Sequence, residues 1–341
     1  MIKILSWNVL SEDFVKQNNN YSTLDRYKSI CRYLFEDDIY SLIGIQECTM
    51  DLYKYIEKYI SDKFNNYKLY FGSTDYNNSF IFGEPSEEWY NKSNKYGNLC
   101  IFNTDRVKNI SSYFSPFEGT SNHNNAIINV LEVDNKQVVW VNTHLSLNRI
   151  ENKLQVSSIL DNIEYLNTNG LIDNYNNIIF SGDFNNKNVL KNINNSSFEL
   201  YPSINTESNT FCYENYNYDN IYHSKSLLLT NFKIIYDMEC CYPYPVLDVN
   251  CDSGISDHIP VVAELSLTNK ICDTDLQFFS KTTGKSYYYN TKTNKSSWKN
   301  RKNSHTDTIN LKSDWIVLPS SKNKYIYFYN LKTGISQWNI P

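Results

Sequence analysis

Five apolar runs in this 341-residue chain each meet a short polar cluster at one end. The clusters are Ser6-Trp7-Asn8, Ile45-Gln46-Glu47, Asn142-Thr143-His144-Leu145, Ser181-Gly182-Asp183-Phe184-Asn185 and Ser256-Asp257-His258. Apolar runs of this length, bounded by turn residues, read as buried strands. A polar group just past the end of a buried strand reaches a shared edge of the sheet. Repeated at five ends, the pattern predicts an α/β core with one polar rim. Carboxylates, carboxamides and two histidines on that rim suit a divalent cation and a phosphoester better than they suit a core.

The surrounding pattern agrees. Up to about residue 268, strands alternate with helical stretches. Strands are predicted at Ile2–Trp7, Tyr40–Gln46, Leu99–Phe102, Ala126–Val133, Gln137–Val141, Ile178–Ser181, Asn220–His223 and Ile259–Leu265. A turn at Asp134-Asn135-Lys136 joins the fourth and fifth of these. Helical spacing of apolar residues marks Asp25–Glu36, Asp51–Phe64 and Asn152–Leu166. A polar stretch between 72 and 98 is long enough to be a substrate-facing loop or a surface insertion.

Composition narrows the function classes. A net charge of −5 and a pI near 5.6 leave no global basic field for coating polyanions, although a local basic groove would suffice for a nucleic acid. The eight cysteines show no C-x-x-C pair and read as reduced thiols of a cytoplasmic or nuclear protein. Met1–Trp7 is too short for a signal region and runs straight into the first cluster. No segment has the apolar length of a membrane span. Excess Asn, Lys, Ile and Tyr points to an AT-rich coding genome, such as a virus acting in a host cell or a protist.

Phosphodiester hydrolysis needs a cation on the non-bridging oxygens, a group that orients or deprotonates water, and hydrogen bonds that strengthen in the transition state. Glu47, with Asn8 and Asp257, would bind Mg²⁺, or Mn²⁺ in its place. Asp183 would orient or deprotonate water, and Asn185 and His144 would contact phosphate. His258 needs a carboxylate to fix its tautomer, and Asp219, leading the strand at Asn220, supplies one. Each residue alone has a plainer reading. Asn8 suits a turn, Glu47 a helix N-terminus, Gly182-Asp183 with Asn185 a turn, His144 a core position and Ser256-Asp257 a cap. The ordered set carries the functional reading.

That set, Ser6-Trp7-Asn8-Val9-Leu10, Gln46-Glu47, Asn142-Thr143-His144-Leu145, Gly182-Asp183-Phe184-Asn185, Asp219 and Ser256-Asp257-His258, resembles the endonuclease/exonuclease/phosphatase (DNase I-like) superfamily. The resemblance covers residues 1–268. It implies a four-layer α/β/β/α sandwich with a Mg²⁺ site at one sheet edge, a cation held by Glu47 with Asn8 and Asp257, and catalysis by Asp183, His258, Asp219, His144 and Asn185. Within that superfamily the expected activity is a nuclease, a deadenylase-like or a tyrosyl-DNA phosphodiesterase-like enzyme acting on nucleic acid. Inositol phosphates or sphingomyelin are the alternative substrates, and an inactive scaffold is the alternative from another class.

The tail carries an internal repeat. Tyr287-Tyr288-Tyr289-Asn290 with Trp298 recurs 40 residues later as Tyr327-Phe328-Tyr329-Asn330 with Trp338. Both copies resemble WW domains, small three-stranded all-β modules, here at 273–301 and 312–341 with a linker over 299–312. Trp315, Phe328, Asn330 and Pro341 match the structural buckle in the second copy. In the first, Leu276 and Arg301 replace the outer Trp and Pro. The resemblance implies that Tyr327 with Trp338, and Tyr287 with Trp298, would clamp a proline-rich peptide.

Overall fold

The computed structural model describes residues 1–12, 22–36, 38–73, 81–82, 96–117, 124–173, 176–194, 198–203, 210–211, 217–235 and 255–267. It also describes the strands of the tail at 275–280, 285–290, 295–297, 315–319, 326–330 and 336–337. The chain divides into two compact units, Met1–Leu265 and Ser266–Pro341.

The first unit opens with β1 (Ile2–Asn8), α1 (Thr23–Phe35), β2 (Leu42–Cys48) and α2 (Met50–Lys63). Next come β3 (Tyr67–Ser73), β4 (Ile81–Phe82), β5 (Gly97–Asn103), β6 (Lys108–Pro116), β7 (Asn125–Val133) and β8 (Lys136–His144). It continues through α3 (Arg149–Thr168), β9 (Ile178–Asp183), α4 (Val189–Ile193), β10 (Leu200–Pro202), β11 (Asp219–Ser224), β12 (Leu227–Ile234) and β13 (Val261–Leu267). Two sheets result, a six-stranded one in the order β12-β13-β1-β2-β5-β3 and a seven-stranded one in the order β10-β11-β9-β8-β7-β6-β4. β1 and β2 run parallel, as do β8 and β9, whereas β11 runs antiparallel to β9.

Alternation along each strand sets what each face sees. On one side of the first sheet, Leu5, Trp7, Val9, Ile43 and Ile45 pack with Tyr27, Ile30 and Leu34 of α1 and with Leu52 and Ile56 of α2. On one side of the second, Ile128, Val130, Val139, Val141, Ile178 and Phe180 pack with Val156, Ile159 and Ile163 of α3. The opposite faces meet each other, so the unit is a mixed α/β sandwich of two sheets with helices outside. Carboxamides bridge the seam: Gln46 Nε2 donates to Asn142 Oδ1 at 2.7 Å, and Asn142 Nδ2 donates to the carbonyls of Ile45 and Leu99. The sheets approach so closely there that a Cβ on Gly44 would lie 2.6 Å from Asn142 Oδ1.

Several elements depart from the sequence expectation. The last strand starts at Val261 rather than Ile259, because Ile259 N–H is spent on the Thr210 carbonyl and Pro260 has no N–H to give the ladder. α3 begins earlier, at Arg149, where Asn148 caps it by accepting the N–H groups of Ile150 and Glu151. Part of the 72–98 stretch is sheet: Gly72 and Ser73 end β3, β4 pairs with β6, and Gly97 starts β5. Residues 74–80 and 83–95 lie outside the described residues. Of the cysteines, Cys31, Cys48 and Cys100 are described, each a buried free thiol that burial pushes upward in pKa, Cys100 to about 12. No helix among the described residues is long and apolar enough to cross a membrane.

The second unit holds two three-stranded antiparallel sheets. One comprises β14 (Asp275–Ser280), β15 (Lys285–Asn290) and β16 (Lys295–Ser297). The other comprises β17 (Trp315–Pro319), β18 (Ile326–Asn330) and β19 (Ser336–Gln337). Leu276 pairs with Tyr289, Tyr287 with Phe278, Trp315 with Asn330 and Tyr327 with Leu318. Trp298, Arg301, Trp338, Pro341 and the linker at 299–312 lie outside the described residues.

Candidate active site

The strand ends converge because of direction and parity together. β1, β2, β8 and β9 finish on the same edge, and β11, running the other way, begins there. Asn8, Gln46, Asn142 and Asp183 all fall on the seam-facing parity of their strands, and Asp219 is the ladder partner of Asp183. His144 is the ladder partner of Asp183 on the opposite side.

Asp183 is the hub. Its Oδ1 accepts the Asn185 N–H at 2.9 Å and its Oδ2 accepts Asn8 Nδ2 at 3.0 Å. The same Oδ2 has His144 Nε2 and His258 Nε2 each at 3.6 Å. His258 completes the line with Nδ1 2.8 Å from Asp219 Oδ2. Asp183, Asp219 and His258 are all buried, and their ligand atoms lie within 4.8 Å of one another, a grouping that could hold a metal ion. Burial pushes the Asp219 carboxyl up to about 6 against the pull of His258. Burial alone would lower His258, but Asp219, Asp183 and Asp257 outweigh it and hold the imidazole well above its ordinary range.

Glu47 reaches the rim through a backbone irregularity. The register between β2 and β5 shifts between Ile45 and Cys48, and Glu47 sits at φ 55°. A regular strand would have sent its side chain back toward the helices; the bulge re-aims it. Its Oε1 accepts Asn8 Nδ2 at 3.0 Å and its Oε2 accepts the Ser11 N–H at 2.9 Å. Leu10 (φ 58°) and Asn185 (φ 48°) share this left-handed backbone. The other two such non-glycine residues among those described, Asp134 and Asn135, form the β7–β8 hairpin turn. Three strained positions at one edge are a mark of a functional site.

Asp257 lies within electrostatic reach of Glu47. Its carboxyl is raised first by burial, and the Glu47 charge adds to that. Its Oδ1 is buried and has no hydrogen-bond partner among the described residues. Two carboxylates that feel each other's charge, one carrying an orphaned buried oxygen, offer oxygen donors of the kind a hard divalent cation takes.

The remaining expected residue, Asn185, directs its amide to His144 Nε2 (3.1 Å) and the Leu145 carbonyl (2.9 Å), so it orients His144. Asn8 likewise divides its amide between Glu47 and Asp183. Some contributors had no recognisable signal. Thr210 accepts the N–H groups of Tyr218 and Asp219, and the Phe211 ring lies 4.9 Å from that of His258. Both come from a polar stretch without periodicity. Trp7 and Ser256 stood inside the sequence clusters with no assigned role. Trp7 Nε1 donates to the His258 carbonyl at 3.1 Å, and Ser256 Oγ donates to the Asn8 carbonyl at 2.7 Å while receiving the His258 N–H.

Solved structures share this fold. The human Nocturnin catalytic domain with bound sulfate aligns at TM-score 0.59 and 19% identity over 78% of this chain and 94% of that one. An endonuclease/exonuclease/phosphatase from Bacteroides vulgatus aligns at TM-score 0.57 and 15% identity, over 78% and 99%. D. rerio TDP2 complexed with a single-strand DNA product aligns at 0.53 and 16%, over 78% and 98%. The fold is that of the endonuclease/exonuclease/phosphatase domains. No protein-family model and no curated sequence matches, so the likeness is one of structure.

Proposed function

We propose that the first unit is a divalent-metal-dependent phosphoesterase that hydrolyses phosphodiester bonds of nucleic acid. The observation that carries this reading is the line Asp219–His258–Asp183, which ends beside the Glu47–Asp257 carboxylate pair. Glu47 and Asp257, with Asn8 holding Glu47, would bind Mg²⁺ or Mn²⁺. Asp183, Asp219 and His258 are the competing donor set, but His258 already spends Nδ1 on Asp219, and Mg²⁺ favours oxygen ligands. When bound, the cation would neutralise charge on the non-bridging phosphate oxygens.

The chain's own groups divide the rest. Asp183, fixed through both oxygens, orients water and takes its proton as the new P–O bond forms. His258 faces carboxylates with both ring nitrogens, the arrangement of a charged imidazolium. It offers a proton and positive charge to the phosphorane, and the leaving oxygen departs as the old ester bond breaks. His144, held by Asn185, contacts a phosphate oxygen, and Asn185 reaches phosphate only by releasing His144. Phe211, whose ring lies against that of His258 and 5.6 Å from that of Tyr218, favours a substrate with a stackable base over a small sugar phosphate. The DNA product held by the TDP2 neighbour is in keeping with that class.

The two sheets of the tail are read as WW modules that recruit a proline-rich partner, through Tyr327 with Trp338 and Tyr287 with Trp298. The protein's place of action is read as the cytoplasm or nucleus. The test is hydrolysis of end-labelled RNA and DNA oligonucleotides with Mg²⁺, beside inositol phosphate and sphingomyelin controls. Cleavage by Glu47→Gln and His258→Ala at the wild-type rate would remove the site assignment. A peptide array with Trp338→Ala as control tests the tail.

A further inference from the structure

Arg26 is 2% exposed, and it enters the sandwich from the first turn of α1. Its guanidinium reaches two separate segments. Nε donates to the Ile255 carbonyl at 2.9 Å. Nη2 donates to the carbonyls of Val9 and Leu10, and Nη1 pairs with Glu12 Oε1 at 2.9 Å. Both segments carry candidate cation ligands. The Leu10 N–H binds Asn8 Oδ1 at 3.0 Å and the Ser11 N–H binds Glu47 Oε2 at 2.9 Å, so the loop after β1 holds two of them. Ile255 leads directly into Ser256 and Asp257.

A buried arginine is a costly way to fill space, since an apolar residue of similar volume usually serves stability as well or better. What an apolar residue lacks is a planar fork that can bind several carbonyls in fixed directions. The Leu10 carbonyl belongs to a residue in left-handed backbone, a conformation that persists only where its surroundings hold it.

We propose that Arg26 is a positioning residue for the cation site, setting the distance between the Glu47 and Asp257 carboxylates by tying the Val9–Glu12 loop to Ile255. The inference rests on the assignment of those carboxylates as cation ligands. Its test is Mn²⁺ affinity, read by electron paramagnetic resonance on the full chain. The panel is wild type, Glu47→Gln, Arg26→Lys and Glu12→Gln, with folding checked by circular dichroism. Arg26→Lys keeps the charge and loses the fork, so it should weaken Mn²⁺ binding about 10–100-fold. Glu12→Gln should show a smaller loss, and the Mg²⁺ concentration for half-maximal hydrolysis should rise in parallel. Wild-type Mn²⁺ affinity in folded Arg26→Lys overturns the inference while leaving the site intact. Absence of Mn²⁺ binding in wild type, or its survival in Glu47→Gln, overturns the site assignment itself. Should Arg26→Lys fail to fold, hydrogen exchange on wild type decides. Mn²⁺ should protect amides 9–12 and 255–258 with one midpoint, and protection confined to one segment overturns the coupling.

Discussion

His258 and Asp183 face each other Nε2 to Oδ2 at 3.6 Å, while the other ring nitrogen of His258 is 2.8 Å from Asp219. The short side is a hydrogen bond and the long side is not. The imidazole is therefore anchored from behind, and its Nε2 makes no hydrogen bond to Asp183 that an oxygen atom of water or phosphate would have to break.

Removing the anchor should cost rate rather than binding. Asp219→Asn keeps the shape but takes away the charge that fixes the His258 tautomer and sustains its proton. The expected loss in kcat is about 10²–10⁴-fold with KM little changed. Steady-state kinetics on an oligonucleotide substrate checks it, and an unaltered kcat would place His258 outside the reaction.

Chelation should abolish hydrolysis and added Mg²⁺ should restore it. In Asp257→Asn the orphaned oxygen beside Glu47 loses its charge, so half-activation should need at least about 10-fold more Mg²⁺. A Mg²⁺ titration of initial rate reads this directly.

Gly182→Ala should destabilise the whole first unit. Gly182 has φ 149°, and a Cβ there would lie 1.9 Å from the Thr143 carbonyl oxygen. Strain and overpacking together amount to about 3 kcal/mol or more. Urea denaturation monitored by tryptophan fluorescence measures it.

Stability should fall in mild acid through His223, a buried residue of β11 remote from the rim. Burial lowers its pKa below 6.5, against the hydrogen bonds its ring makes to the backbone at Ser224 and Leu227. The unfolded chain therefore binds the proton more readily, so the stability His223 contributes is present above about pH 6.5 and is lost as pH falls. His223→Gln should flatten the decline of Tm between about pH 7 and pH 5 relative to wild type.

The rim was legible because it combines two periodic signals, apolar strands and polar residues at their ends. Asn8, Asp183, Asp219 and His258 came together for that reason. Glu47 was found by residue type, but its reach depends on a bulge, and nothing in Ile45-Gln46-Glu47-Cys48 announces one. β6 escaped notice because its first half alternates exposed and half-buried residues, and its one apolar side chain there, Ile110, is exposed. Arg26 sits in an amphipathic helix whose spacing identifies Tyr27, Ile30 and Leu34 and gives no hint that an arginine turns inward. Thr210 and Phe211 act through long-range contacts, which a local pattern does not encode.

Ser256 Oγ reaches the Asn8 carbonyl across 248 residues of chain. During synthesis, then, the first strand waits for nearly the whole unit to leave the ribosome before its end acquires its partner beside His258. A chain that stops between Asp183 and His258 keeps Glu47 and Asp183 but lacks His258, so under the proposed assignment premature termination should yield an inert fragment.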